Sequence, residues 1–177
     1  MMKHVWMAAR RLTGMVVLSL ATGAVAGSPS IVLDHNGATL EVDTQAQQVT
    51  KGIEYCVSVL GTDLREVHSY SFKIEYDEKI LRFEGAGKSF GPGQTAFLES
   101  RGSTIAAFLA VPSPGKLEVA VASSGDNPAT LASGDGILAV LRFTAISAGK
   151  PVLSISEARF VDVKGVVTTI ETQQPKQ

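Results

Sequence analysis

Cysteine and tryptophan are almost absent from this chain of 177 residues. The single cysteine, Cys56, excludes an intramolecular disulfide, and we expect it to be a free thiol. The single tryptophan, Trp6, lies in an N-terminal segment that we expect to be removed. The remaining chain therefore has no tryptophan with which to build the aromatic platform that stacks on sugar rings.

Neither sign of charge dominates the sequence, which has 16 Lys+Arg and 17 Asp+Glu. This balance excludes a strongly basic surface, and we expect no nucleic-acid partner. Long hydrophobic runs are also missing. The apolar stretch Leu12–Ala26 is interrupted by Thr and Gly and is shorter than the roughly 20 apolar residues of a transmembrane helix, so we expect no membrane span.

The N-terminus has the pattern of a secretory signal peptide. Lys3, Arg10 and Arg11 give it a positive start, an apolar stretch follows, and Ala24-Val25-Ala26 is a small-x-small cleavage site. We predict that a signal peptide, residues 1–26, is cleaved and that the protein is exported to the periplasm, the medium or the cell surface. Residues 27–171 are long enough for one domain, and the polar residues 172–177 are predicted to be a disordered tail.

Catalytic motifs are missing as well. The sequence contains no Gly-x-Ser-x-Gly, no phosphate-binding Gly loop and no His-x-x-x-His pair, and only His35 and His68 remain after signal removal. We therefore predict no catalytic residues, no enzyme activity, no cofactor and no metal site. Asp126, Asn127 and Asp135 lack the spacing of a calcium loop and are typical of turns.

The residues that are present indicate an all-β fold. In Ser69–Tyr76 large apolar side chains alternate with polar ones, which is typical of a half-buried antiparallel strand. Turn residues such as Gly61-Thr62-Asp63 separate the runs, and this density of short strands predicts a two-sheet sandwich. The other predicted strands are Ser30–Asp34, Thr39–Val42, Ile53–Leu60, Leu81–Glu84, Thr104–Val111, Leu117–Ala122, Ile137–Thr144, Val152–Ile155, Ala158–Val161 and Val166–Ile170.

One predicted strand has apolar residues on both sides. If one set of alternate residues points inward, the other set forms an outward apolar stripe with a flanking cation. The inward set is Ile137, Ala139, Leu141 and Phe143, and the outward set is Leu138, Val140 and Arg142. Such a stripe indicates either a strand that is covered on both sides or an exposed protein-binding surface.

Several segments, in order, resemble the cohesin family. The alternating strand Ser69–Tyr76 is followed by Asp77 and by the short apolar strand Leu81-Arg82-Phe83, and Lys116–Ala122 looks like the next sheet strand. Gly134–Phe143 is similar to the Gly-x-Gly-x-Leu-x-x-Leu-x-Phe strand of cohesins. The resemblance covers roughly residues 30–170 and implies a nine-stranded jelly-roll β-sandwich. It also implies a non-catalytic receptor that holds the dockerin modules of polysaccharide-degrading enzymes through one exposed sheet face.

The resemblance also implies where a partner binds. Ser69–Tyr76 matches the dockerin-contacting strand, with Ser69 and Ser71 at positions where type I cohesins commonly have Asn and Asp. The candidate partner-binding residues are Ser69, Ser71, Lys73, Glu75, Glu118, Leu138 and Val140. The favoured partner is a dockerin-like protein module that holds its own calcium. The alternative is a carbohydrate-binding module of related fold that binds polysaccharide directly.

Overall fold

β-Strands dominate the computed structural model, which describes residues 27–36, 42–89, 94–125 and 131–170. The predicted all-β class is confirmed, and the described residues include no helix that could cross a membrane. The predicted signal peptide and tail lie outside the described residues. The strands are β1 (Ser30–Asp34), β2 (Glu54–Tyr76), β3 (Leu81–Gly87), β4 (Thr104–Ser113), β5 (Lys116–Ser124), β6 (Ala132–Ala145), β7 (Leu153–Asp162) and β8 (Val167–Thr169), with one 3-10 turn at Phe97–Arg101.

Strand β2, with 23 residues, runs through both layers of the fold. Its first half pairs with β1 and β6, and β6 pairs with β3, which makes the first sheet. Its second half pairs with β5 and β7, and these pair with β4 and β8, which makes the second sheet. The predicted strands Ile53–Leu60 and Ser69–Tyr76 are thus parts of the single strand β2. The predicted strands Val152–Ile155 and Ala158–Val161 are likewise parts of β7. Most of the predicted strand Thr39–Val42 lies outside the described residues.

Bulges carry β2 from the first sheet to the second. Asp63 and Glu66 have positive φ angles of 52° and 48° there. The Asp63 N–H donates to Asp135 Oδ1 at 2.9 Å, and the Glu66 N–H donates to Ser133 Oγ at 2.9 Å. The β-ladder is irregular here, so these two amides have no backbone acceptor on β6. The Asp135 and Ser133 side chains of β6 accept their hydrogen bonds instead. The turn predicted at Gly61-Thr62-Asp63 is therefore wrong, because the strand bends there without ending.

The Asp135 bond gives a testable effect on stability. Asp135→Ala should lower the free energy of unfolding by about 1 kcal/mol, because the Asp63 amide loses its acceptor in an already strained conformation. Asp135→Asn retains a side-chain carbonyl oxygen and should stay close to the unaltered protein. Urea unfolding measures both variants, and identical midpoints for Asp135→Ala and Asp135→Asn would contradict this role.

The core lies between the two sheets. Tyr70, Phe72 and Ile74 of the second half of β2 are buried and face it. The Phe143 ring of β6 lies with its centroid 5.2 Å from that of Tyr76, so aromatic side chains from the two sheets are in contact. This packing buries one side of each sheet and leaves the other side of the second sheet available for function.

Leu138 does not point outward as the sequence predicted. The pairing of β2 with β6 shifts by one residue at Leu138, which makes it the extra residue of a bulge and breaks the strict alternation. The side chain is 0% exposed and lies against Gly61, where an added Cβ would come within 3.3 Å of Leu138 Cδ1. The expected exposure of Leu138 is therefore wrong.

Val140 is also buried, with 2% of its surface exposed. It lies between Ser58 and Gly87, its Cα partners on the neighbouring strands, and Ser58 is buried as well. The apolar stripe predicted either a strand covered on both sides or an exposed protein-binding surface. The structure shows that the strand is covered on both sides at Leu138 and Val140. Leu138 and Val140 therefore contribute no accessible apolar surface for a partner.

His35 is a buried histidine just after β1. Its Nδ1 lies 2.6 Å from the Tyr55 hydroxyl oxygen. Burial lowers the pKa of the imidazole, against the opposite effects of Asp43 and Asp34. The folded state therefore holds a proton on His35 less readily than the unfolded chain does.

The lowered pKa of His35 predicts a pH dependence of stability. As the pH falls through the ordinary histidine pKa of about 6.5, the unfolded chain takes up a proton that folded His35 resists, so the free energy of unfolding decreases. Urea unfolding at several pH values between about 5 and 7.5 measures this slope. His35→Gln, which does not titrate, should flatten it, and equal slopes in the two proteins would contradict the prediction.

Candidate functional site

The outward side of β2 in the second sheet carries the predicted polar row. Ser69, Ser71, Lys73 and Glu75 alternate with buried residues and are half-buried or exposed. The prediction that this row points away from the core is confirmed. It follows from period two alone, since Tyr70, Phe72 and Ile74 occupy the opposite side.

Strand β5 extends this surface on one side. Glu118 is the Cα partner of Lys73, and Ala120 is the Cα partner of Ser71, so small side chains occupy the middle of the surface. Glu118 thus lies beside the β2 row, as the resemblance to cohesins implied. We call this surface the outer face and define it by Ala107, Leu109, Val111, Lys116, Glu118, Ala120, Ala122, Ser69, Ser71, Lys73, Glu75, Glu157, Arg159 and Val161.

The apolar part of the outer face comes from β4. Leu109 and Val111 are 59% and 62% exposed, and they are the Cα partners of Ala120 and Glu118. Neither residue was among the partner-binding residues predicted from the sequence. The sequence contains a signal for them, because Thr104–Val111 has apolar residues on both sides of the strand. The same pattern led to the prediction for Leu138 and Val140.

Charged side chains flank the small and apolar residues. Lys73 Nζ lies 2.6 Å from Glu157 Oε2, and Lys116 Nζ lies 3.2 Å from Glu75 Oε1. The Glu157 carboxylate raises the pKa of Lys73, and Lys73 lowers the pKa of Glu157. Such exposed ion pairs add little stability. A centre of apolar and small residues with a charged rim is the usual composition of a protein–protein interface.

The described residues give no sign of a reactive pair. The Ser123 hydroxyl lies 3.1 Å from His68 Nδ1 and donates to the His68 carbonyl oxygen at 3.0 Å, so both groups have a structural role. Cys56 is a free thiol whose pKa is raised by burial and by Glu54, which disfavours the reactive thiolate.

Metal ligands are also not gathered in the part of the chain that the structure describes. No group of three or more His, Cys, Asp or Glu side chains there could hold an ion. Asp135 serves the β2 bulge, and Asp126 and Asn127 lie outside the described residues.

Comparison with protein families connects this surface to a known type of domain. The sequence model of the cohesin domain matches residues 38–173. The chain belongs to the cohesin family. The resemblance found in the sequence is thereby confirmed. Cohesin domains are non-catalytic modules that bind other proteins, so the family is consistent with the outer face as an interface and with the poor set of catalytic groups.

Solved cohesin structures have the same fold. The sixth cohesin of Acetivibrio cellulolyticus scaffoldin B, solved with a Cel5 dockerin mutant, has a TM-score of 0.60 at 18% identity and covers 83% of this chain and 95% of its own. A non-cellulosomal cohesin from the archaeon Archaeoglobus fulgidus has a TM-score of 0.57 at 16% identity, covering 84% and 86%. The type I Coh-OlpA–Doc918 complex from Clostridium thermocellum has a TM-score of 0.61 at 12% identity, and the match covers 82% of this chain and 94% of that one. The search of curated proteins gave no match.

Proposed function

We propose that this cohesin is an exported module that binds a protein partner through its outer face. The observation that carries the proposal is the exposure of Leu109 and Val111 beside the small residues of β5 and β2. Exposed apolar side chains next to a shallow polar centre favour burial against another protein. Leu138 and Val140, which the sequence suggested for this role, are replaced by the β4 pair.

The partner that we favour is a dockerin-like module that holds its own calcium and belongs to an extracellular protein such as a polysaccharide-degrading enzyme. Two of the three solved structures described above are complexes of cohesins with dockerins. In this chain, the Ser69 and Ser71 hydroxyls can donate and accept hydrogen bonds at the centre of the outer face. Lys73, Glu75 and Glu118 supply charged contacts at one end of the outer face.

The carbohydrate-binding alternative is not favoured. Stacking on sugar rings needs exposed aromatic side chains, and the outer face has none among the residues that define it. Tyr70 is buried in the core, and Tyr55 is buried next to His35.

Affinity capture from the host tests the proposal. The purified protein is immobilised, exposed to total extract and culture medium, and eluted with a calcium chelator, and mass spectrometry identifies what is released. A released protein with paired calcium loops would support the dockerin-like partner. A retained protein that the chelator does not release would exclude a dockerin, and retention of polysaccharide alone would overturn protein binding.

A further inference from the structure

Strand β4 forms an unusual edge of the second sheet. Among the described residues it pairs only with β5, so its other side has no backbone partner there. It has ten residues, Thr104–Ser113, and none of them is charged. Most of its residues are exposed. A long edge strand without charges can pair with another strand.

The other edge strands of the described sheets are protected. β3 carries Arg82 and Glu84, which form an ion pair. β8 has only three residues, and β1 has five and ends at Asp34. Charges and short length are the usual means by which proteins prevent edge pairing. β4 has neither charges nor short length. Its proline, Pro112, and its bulge between Ile105 and Ala107 interrupt the edge only outside residues 107–111.

Pro112 shows which backbone groups of β4 face the open side. Proline has no N–H and is accommodated in a strand where its nitrogen faces away from the ladder. Since residues of an antiparallel strand alternate in the direction of their backbone groups, Phe108 and Ala110 point their N–H and C=O groups to the same open side as Pro112. By the same alternation, Leu109 and Val111 point their backbone groups toward β5.

We propose that β4 pairs antiparallel with β4 of a second copy of this chain, about a two-fold axis at Leu109. In this register Phe108 lies opposite Ala110 of the second copy, and this pair and its symmetry-related pair together form about four backbone hydrogen bonds. Large side chains then meet small ones, Phe108 with Ala110 on the inner side and Val111 with Ala107 on the outer side. No like charges meet, because β4 has none.

This dimer goes beyond the proposed function and does not depend on it. It joins the second sheets of two copies into one continuous sheet and leaves Ser69, Ser71, Lys73 and Glu75 open on both. The two outer faces lie side by side, with the Leu109 and Val111 pairs of the two copies adjacent. Each dimer then presents two partner sites that face the same way.

Sedimentation equilibrium over a range of protein concentrations tests the dimer. The unaltered protein should approach twice the monomer mass as concentration rises. Ala110→Pro removes one of the open N–H groups and places a ring toward the incoming strand, so it should stay monomeric at every concentration. Val167→Lys changes an exposed valine on the edge of β8 and should dimerise like the unaltered protein. Circular dichroism checks that each variant is folded.

Two further measurements keep the inference testable if Ala110→Pro does not fold. Leu109→Lys alters an exposed side chain and places two lysines opposite each other across the axis, so it should also be monomeric. In the unaltered protein, hydrogen exchange at the Phe108 and Ala110 amides should quicken roughly tenfold or more on dilution. A monomer at all concentrations would overturn the inference, as would a dimer that survives both β4 substitutions.

Discussion

Replacing Leu109 with aspartate is expected to weaken retention of the captured partner by at least about thirtyfold, which corresponds to about 2 kcal/mol. Leu109 is 59% exposed at the apolar part of the outer face. A carboxylate there would have to be desolvated against an apolar part of the partner without a counter-charge. Since the side chain is not part of the core, the free energy of unfolding of the monomer should change little.

Ile53→Asp is the matched control for Leu109→Asp. Ile53 is 54% exposed and directly precedes the part of β2 that lies in the first sheet. The substitution therefore introduces the same charge at a similarly exposed position away from the outer face. The retained amount of partner on immobilised Ile53→Asp should equal that on the unaltered protein. Equal retention on Leu109→Asp and Ile53→Asp would show that the partner does not use the outer face.

Leu138→Asp should instead unfold the protein or lower its free energy of unfolding by roughly 4 kcal/mol or more. The side chain is fully buried against Gly61, so a carboxylate at this position has no access to water. Loss of capture by this variant would then follow from loss of the fold. Urea unfolding followed by circular dichroism measures the effect.

Leu138→Met is the control, because it keeps a large apolar side chain and should cost less than about 1.5 kcal/mol. The two substitutions separate burial from binding at the same position. If Leu138→Asp were as stable as the unaltered protein and still lost its partner, Leu138 would be a surface contact and the bulge in β6 would be wrong.

Much of the fold could be predicted because apolar and polar residues alternate in most strands. In Ser69–Tyr76 the alternation identified which side chains are buried and which form the outward row, and the structure confirms both sets. The same segment carried the family resemblance, which the match over residues 38–173 confirms. The alternation with period two is sufficient to predict which side chains are buried wherever a strand is regular and one of its sides is solvated.

Bulges account for what the sequence could not predict. Gly61-Thr62-Asp63 has the composition of a turn, but the Asp63 amide finds its acceptor in Asp135, 72 residues away along the chain, and the strand continues. One extra residue at Leu138 shifts the pairing and reverses the expected exposure. Neither long-range contact has a local sequence signal. Leu109 is a different case from Leu138, because its outward position follows from the alternation with period two. What was not predicted is its place in the partner-binding surface.

Lysine labelling of the complex tests the central claim, that the partner lies on the outer face, most directly. Lys73 and Lys116 belong to the outer face, with 41% and 64% of their side chains exposed, whereas Lys51 and Lys164 lie elsewhere on exposed turns. Acetylation with and without the captured partner, read by mass spectrometry, should show Lys73 and Lys116 protected and the other two unchanged. Protection of Lys51 or Lys164 with Lys73 and Lys116 still labelled would contradict the account.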